Sequence, residues 1–181
     1  TVLNGVNLEH LNCAMNDLKA RPDLAQFKFR ATNRWVDGFQ SRVAVKDFYG
    51  GGQEDTSRTE PMVFNADEPP VLLGGNKGAN PVEYVLIALS GCLTAALIAQ
   101  AAAKGIQLDE VESRLEGDLD VRGFLNLADV RNGYQQIRVS FRIKSDAPRE
   151  QLEELVRLSQ QRSPVFDIVS NPVPVSVELA A

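Results

Sequence analysis

A chain of 181 residues, 44% hydrophobic and 24% charged, can bury a sizeable core, which excludes a disordered or collagen-like polymer. Its formal net charge of −5, with no cluster of lysine and arginine, argues against a nucleic-acid or anionic-membrane surface as the main partner. Two cysteines and one histidine exclude a multi-thiolate zinc site and argue against a disulfide framework, and neither metal nor cofactor is expected. The free thiols suit a reducing compartment, and no charged segment followed by an apolar one opens the chain; a cytoplasmic protein is the expectation.

In chain order, the first predicted element is a helix from about Leu3 to Lys19, with Leu8, Leu11, Met15 and Leu18 on one face and Pro22 beyond its end. Cys13 falls off that face and His10 reads as a surface residue. Phe27, Phe29, Ala31 and Trp35 then alternate with Lys28, Arg30, Thr32 and Arg34, Asp37-Gly38 supplies a tight turn, and Phe39, Val43 and Val45 continue the alternation. This predicts strand, turn, strand. Gly50, Gly51 and Gly52 read as the start of a polar loop, Pro61 to Asn65 as a third short strand, and a Pro- and Gly-rich loop leads to Asn80.

The stretch from Asn80 to Ile106 is the most informative in the chain. Pro81 suits a first helical turn, where its missing N–H costs nothing, and Gly105 after Lys104 marks a stop. Leu86, Leu89, Leu93 and Leu97 form a bulky stripe, while Ala88, Cys92, Ala95 and Ala99 form a second stripe of small residues. Cys92 on that stripe reads either as a small buried hydrophobe or as a nucleophile at a close contact. Val85 to Ala103 carries no charge and is about long enough to cross a bilayer, but Ser90, Gly91, Thr94 and Gln100 inside it and the globular patterning elsewhere favour a buried core helix.

Beyond it, Leu115, Leu119 and Val121 mark a strand, and Ile137, Val139, Phe141 and Ile143 alternate with polar residues in a cleaner one. Asp146 reads as an N-cap ahead of Pro148, opening a helix lined by Leu152, Leu155, Val156 and Ser159 that ends before Ser163-Pro164. Val173, Val175, Val177 and Leu179 alternate in a last strand. Strands of antiparallel type with interposed helices predict an α+β fold.

Leu72 to Leu93, LLGGNKGANPVEYVLIALSGCL, resembles the OsmC/Ohr family, the osmotically inducible and organic-hydroperoxide-resistance proteins, in its Gly-rich loop, its Asn-Pro helix start and its cysteine twelve residues after the asparagine. The similarity runs from about Phe27 to Leu179, leaving residues 1–26 as an N-terminal helical extension before a domain at 27–181. The resemblance implies an intertwined homodimer with the cysteine-bearing helices packed centrally. It also implies that Cys92 is a peroxidatic nucleophile that reduces organic hydroperoxides, or hydrogen peroxide, in stress defence. An arginine held by a glutamate supports the thiolate in that family; Arg34, with Arg42 as second choice, and Glu83 are the candidates here. The family commonly has glutamate directly after Asn-Pro, where this chain has Val82. Its resolving cysteine precedes a proline after the second helix, where this chain has Ser163-Pro164, so turnover requires an external thiol reductant or Cys13. The competing expectation is a catalytically inactive dimer that binds a small apolar ligand at its interface.

Overall fold

The computed structural model describes residues 1–180. It is an α+β structure that divides into two compact units, one formed by Thr1 and Asn7–Tyr84, the other by Val2–Val6 and the chain from Val85 onward.

In the first unit, helix α1 (Leu8–Ala20) is capped by Asn7, whose side-chain oxygen accepts from the N–H groups of Glu9 and His10. The helix starts later than the hydrophobic spacing alone suggests. Asn4 and Gly5 take positive φ values of 52° and 79° and turn a short hairpin, β1 (Val2–Leu3) with β2 (Val6–Asn7), so an Asn-Gly turn displaces the first helical turn. Strands β3 (Thr32–Asp37), β4 (Gln40–Val45) and β7 (Met62–Ala66) form an antiparallel sheet in the order β3-β4-β7. Gly38, with φ 53°, sits in the β3–β4 turn that Asp37-Gly38 announces.

Two expectations change in this unit. Phe27 and Phe29 lie ahead of β3 rather than on it: Lys28 exchanges backbone hydrogen bonds with Tyr49, and both phenylalanine rings lie against Phe48. The Gly50–Gly52 stretch is a hairpin turn between β5 (Phe48–Gly50) and β6 (Gln53–Asp55), because Gly51 and Gly52 both adopt positive φ, the conformation a two-residue hairpin loop demands.

The second unit holds most of the long helix α2 (Pro81–Ala103), the antiparallel pair β8 (Glu110–Asp118) and β9 (Gln136–Lys144), and helices α3 (Val121–Phe124), α4 (Arg149–Arg162) and α5 (Pro164–Ser170). α2 is long and apolar enough to span a membrane by length and composition. Its residues Leu97 and Ala101 nonetheless join Leu108 and Leu155 in a buried cluster, against which Val111, Phe141, Ile143, Leu152 and Val156 pack. The strict alternation of β8 and β9 puts those strand side chains inward and pairs Glu110 with Lys144 and Glu112 with Arg142 outward. The β1–β2 turn belongs to this unit, within which Asn4 donates to the Ile106 carbonyl and accepts from the Leu108 N–H.

Three further expectations are corrected here. Val121 opens α3 behind the Asp120 N-cap instead of extending β8. Asp146 does not cap α4: Pro148 occupies the cap position without a side-chain bond, and Ser145 fixes the approach by accepting from the Ala147 N–H and donating to the Gln107 carbonyl. The segment holding Val173, Val175, Val177 and Leu179 carries the alternation of a strand but forms none, since no described segment pairs with it, and those side chains are 55% to 99% exposed.

Candidate functional site

The route to Cys92 begins in the glycine-rich loop. Asp67, only 2% exposed, sits just past β7 and accepts hydrogen bonds from the N–H groups of Glu68, Gly75 and Lys77, folding residues 67–77 back on themselves. Burial pushes its carboxyl up, but these three donors and the nearby Lys77 charge outweigh that effect and hold it below the usual carboxylate value. Gly74 and Gly78 are required by contact: a Cβ would run into the backbone of Glu68 at the first and of Asn65 at the second. The loop therefore delivers Asn80 to the start of α2 in one fixed conformation.

There the helix closes with a reciprocal cap. The Asn80 side-chain oxygen accepts from the Glu83 N–H at 2.8 Å, and the Glu83 carboxylate accepts from the Asn80 N–H at 3.2 Å. This is a capping box, with Pro81 at the first helical position. Tyr84 adds a tether by donating to the Asn65 carbonyl. Glu83 thus has a defined structural task in the first unit.

Further along α2, Leu89, Leu93 and Leu97 are buried, as their spacing predicts, whereas Ala88, Gly91, Ala95 and Ala99 face outward. Cys92 lies at the border between these faces and is half-buried. Its sulfur accepts a hydrogen bond from the Val165 N–H at 3.5 Å. Val165 is the second residue of α5, whose N-cap is Ser163; the Ser163 hydroxyl oxygen accepts from the Phe166 N–H at 3.1 Å and the Ser163 carbonyl accepts from the Asp167 N–H. The Ser163-Pro164 dipeptide, read from sequence as the end of one helix, also starts another that reaches the cysteine. Ser followed by Pro is a helix-start signal, and it was the available clue.

Arg34 lies in the first unit on β3, every residue of which is exposed, in register with Arg42 on β4. Arg42 donates to the Asn65 side-chain oxygen at 3.3 Å. Cys13, on α1, is exposed, and its sulfur lies 3.9 Å from an Asp17 carboxylate oxygen, one helical turn on. Among the described residues no group of three or more His, Cys, Asp or Glu side chains is arranged to hold a metal ion.

Solved structures share this fold at low sequence identity. An OsmC-like protein from Mycoplasma pneumoniae matches with a TM-score of 0.60 and 17% identity, over 80% of this chain and 89% of its own. An organic hydroperoxide resistance protein OsmC from Legionella pneumophila matches at 0.56 and 17%, over 78% and 88%. The organic hydroperoxide resistance protein OhrB of Bacillus subtilis matches at 0.50 and 21%, over 84% and 97%. No curated protein matches the sequence. The family model described as OsmC-like protein matches residues 74–178, from the glycine-rich loop through Cys92 and Ser163 into the C-terminal segment, and the chain belongs to that family.

Proposed function

We propose that this chain is a thiol-dependent peroxidase that reduces organic hydroperoxides at Cys92. The observation that carries the reading is the Cys92 sulfur, half-buried on a helix within the family-matched region and met by a backbone N–H from Val165. A donor aimed at sulfur stabilises developing negative charge there, which is what a thiolate nucleophile needs in an apolar surrounding. The thiolate attacks the terminal peroxide oxygen, the O–O bond breaks, the alkoxide leaves and takes a proton, and Cys92 becomes a sulfenic acid. One external thiol condenses with the sulfenic acid, releasing water and forming a mixed disulfide; a second reduces it and regenerates Cys92.

Arg34 is our candidate for the cation that assists the thiolate, with Glu83 holding the start of the cysteine helix through its cap. With Ser163 before Pro164, the reading is a single-cysteine variant of the family chemistry, working in a reducing interior such as the cytoplasm. A homodimer belongs to the proposal. Support comes from apolar surface left open in each unit: Trp35 at 71% exposure in the first, and the unpaired Val173–Leu179 alternation in the second. Light scattering at micromolar concentration should give twice the chain mass, and a stable monomer contradicts this part.

The direct test is mass spectrometry after stoichiometric alkyl hydroperoxide, with Cys92→Ser as control. Oxygen gained at Cys92 and nowhere in the variant supports the peroxidase; a Cys92 that stays a free thiol in folded protein refutes it. The second reading, an inactive dimer holding a small apolar ligand, is favoured by Ser163 in the place of a resolving thiol. It requires a co-purifying molecule in native mass spectra together with an unreactive Cys92.

A further inference from the structure

We infer that Ser163 is a positioning residue for Cys92: by capping α5 it holds the Val165 N–H on the sulfur. Ser163 is 2% exposed, and both of its oxygens are committed to the first turn of α5, the hydroxyl to the Phe166 N–H and the carbonyl to the Asp167 N–H. Pro164 has no N–H to offer. The Val165 N–H has no earlier carbonyl within the helix to bond, as for any second helical residue, and the Cys92 sulfur takes it at 3.5 Å. The serine therefore does more than fill the place of an absent thiol. It satisfies the next two donors, those of Phe166 and Asp167, and leaves the one just before them, that of Val165, directed at the nucleophile, in a chain segment further fixed by the Ser163 N–H donating to the Ser159 carbonyl.

The inference rests on the reading of Cys92 as a nucleophile, and its test uses an alkylating agent rather than a peroxide so that failure of either is told apart. In a Cys13→Ser background, which removes the exposed thiol, the rate of Cys92 modification by iodoacetamide is followed against pH by intact mass. Losing a hydrogen bond to a charged group, taken at the weak end of its range for a sulfur acceptor, cuts the thiolate fraction by about tenfold at neutral pH, partly offset by the higher nucleophilicity of a more basic thiolate. Ser163→Ala should move the rate–pH profile to higher pH and slow alkylation at pH 7 by roughly threefold. Ser163→Thr, which keeps the capping oxygen, should restore the profile. In wild-type protein the Val165 amide resonance should titrate with the same midpoint as alkylation. A Ser163→Ala profile that superposes on wild type with the fold intact overturns the inference, as does a Thr variant that behaves like Ala. Should the Ala variant not fold, a Val165 amide resonance that ignores Cys92 ionisation overturns it alone.

Discussion

Glu83 separates a structural from a chemical role more sharply than any other residue in the chain. Its carboxylate accepts from the Asn80 N–H at 3.2 Å while its own N–H donates to the Asn80 side chain at 2.8 Å, so the Asn80 and Glu83 donors at the start of α2 are satisfied reciprocally. Asn80→Ala removes the N-cap and should cost about 1 kcal/mol. For a chain of this size that is a fall in Tm of about 2–4 °C. Glu83→Ala removes only the returning half of the box, at an exposed position, and should cost about half as much, given a typical cap value near 1 kcal/mol. Glu83→Gln keeps an acceptor oxygen at the same reach and loses only a favourable charge at a helix N-terminus, about 0.3 kcal/mol at such an exposed position, so it should cost less than Glu83→Ala. Circular dichroism melts measure the order, and the rate of Cys92 oxidation by an alkyl hydroperoxide is measured on the same samples. A pure cap predicts that Glu83→Gln oxidises at close to the wild-type rate. A tenfold slower oxidation in Glu83→Gln, with Tm unchanged, would refute the capping account and place the carboxylate in the chemistry.

The remaining predictions concern core, loop and cation. Leu155 is fully buried beside Leu97 and Ala101, so Leu155→Ala should lose about 2–5 kcal/mol by chemical denaturation, and a loss below 1 kcal/mol would contradict the packing. Asp67 has a carboxyl held below its unfolded value, so its contribution is fully present above about pH 4 and is lost as pH falls through the lower folded-state value. Asp67→Asn should be less stable at neutral pH, with the gap to wild type closing in acid; a constant gap at every pH would refute the charge-based account. Arg34→Met should slow Cys92 oxidation about tenfold or more if the guanidinium assists the thiolate, and an unchanged rate removes Arg34 from the proposal.

Much of this architecture was legible because the relevant signals are local and periodic. The alternation of Ile137, Val139, Phe141 and Ile143 gave β9 its inward face, and the leucine spacing in α2 gave its buried stripe. The family motif around Asn80 and Cys92 lies inside the segment, residues 74–178, that the family model matches. What failed did so where two signals compete or where a partner is required. Asn4-Gly5 overrode a helical leucine pattern, and paired glycines made a hairpin turn out of what composition suggests is a loop. Val173 to Leu179 has strand patterning without a strand, because alternation specifies a face and pairing needs a neighbour. The contact between Cys92 and Val165 spans 73 positions and engages a backbone N–H, a group present at nearly every residue, so no side-chain pattern could announce it.

The central claim is that Cys92 is a nucleophile and not filler. Wild-type protein treated with one equivalent of alkyl hydroperoxide, trapped with a sulfenic-acid reagent and digested for peptide mass spectrometry, measures this directly. The account predicts trapped adduct on the Cys92 peptide in preference to the more exposed Cys13; label on Cys13 alone, or on neither, would contradict it.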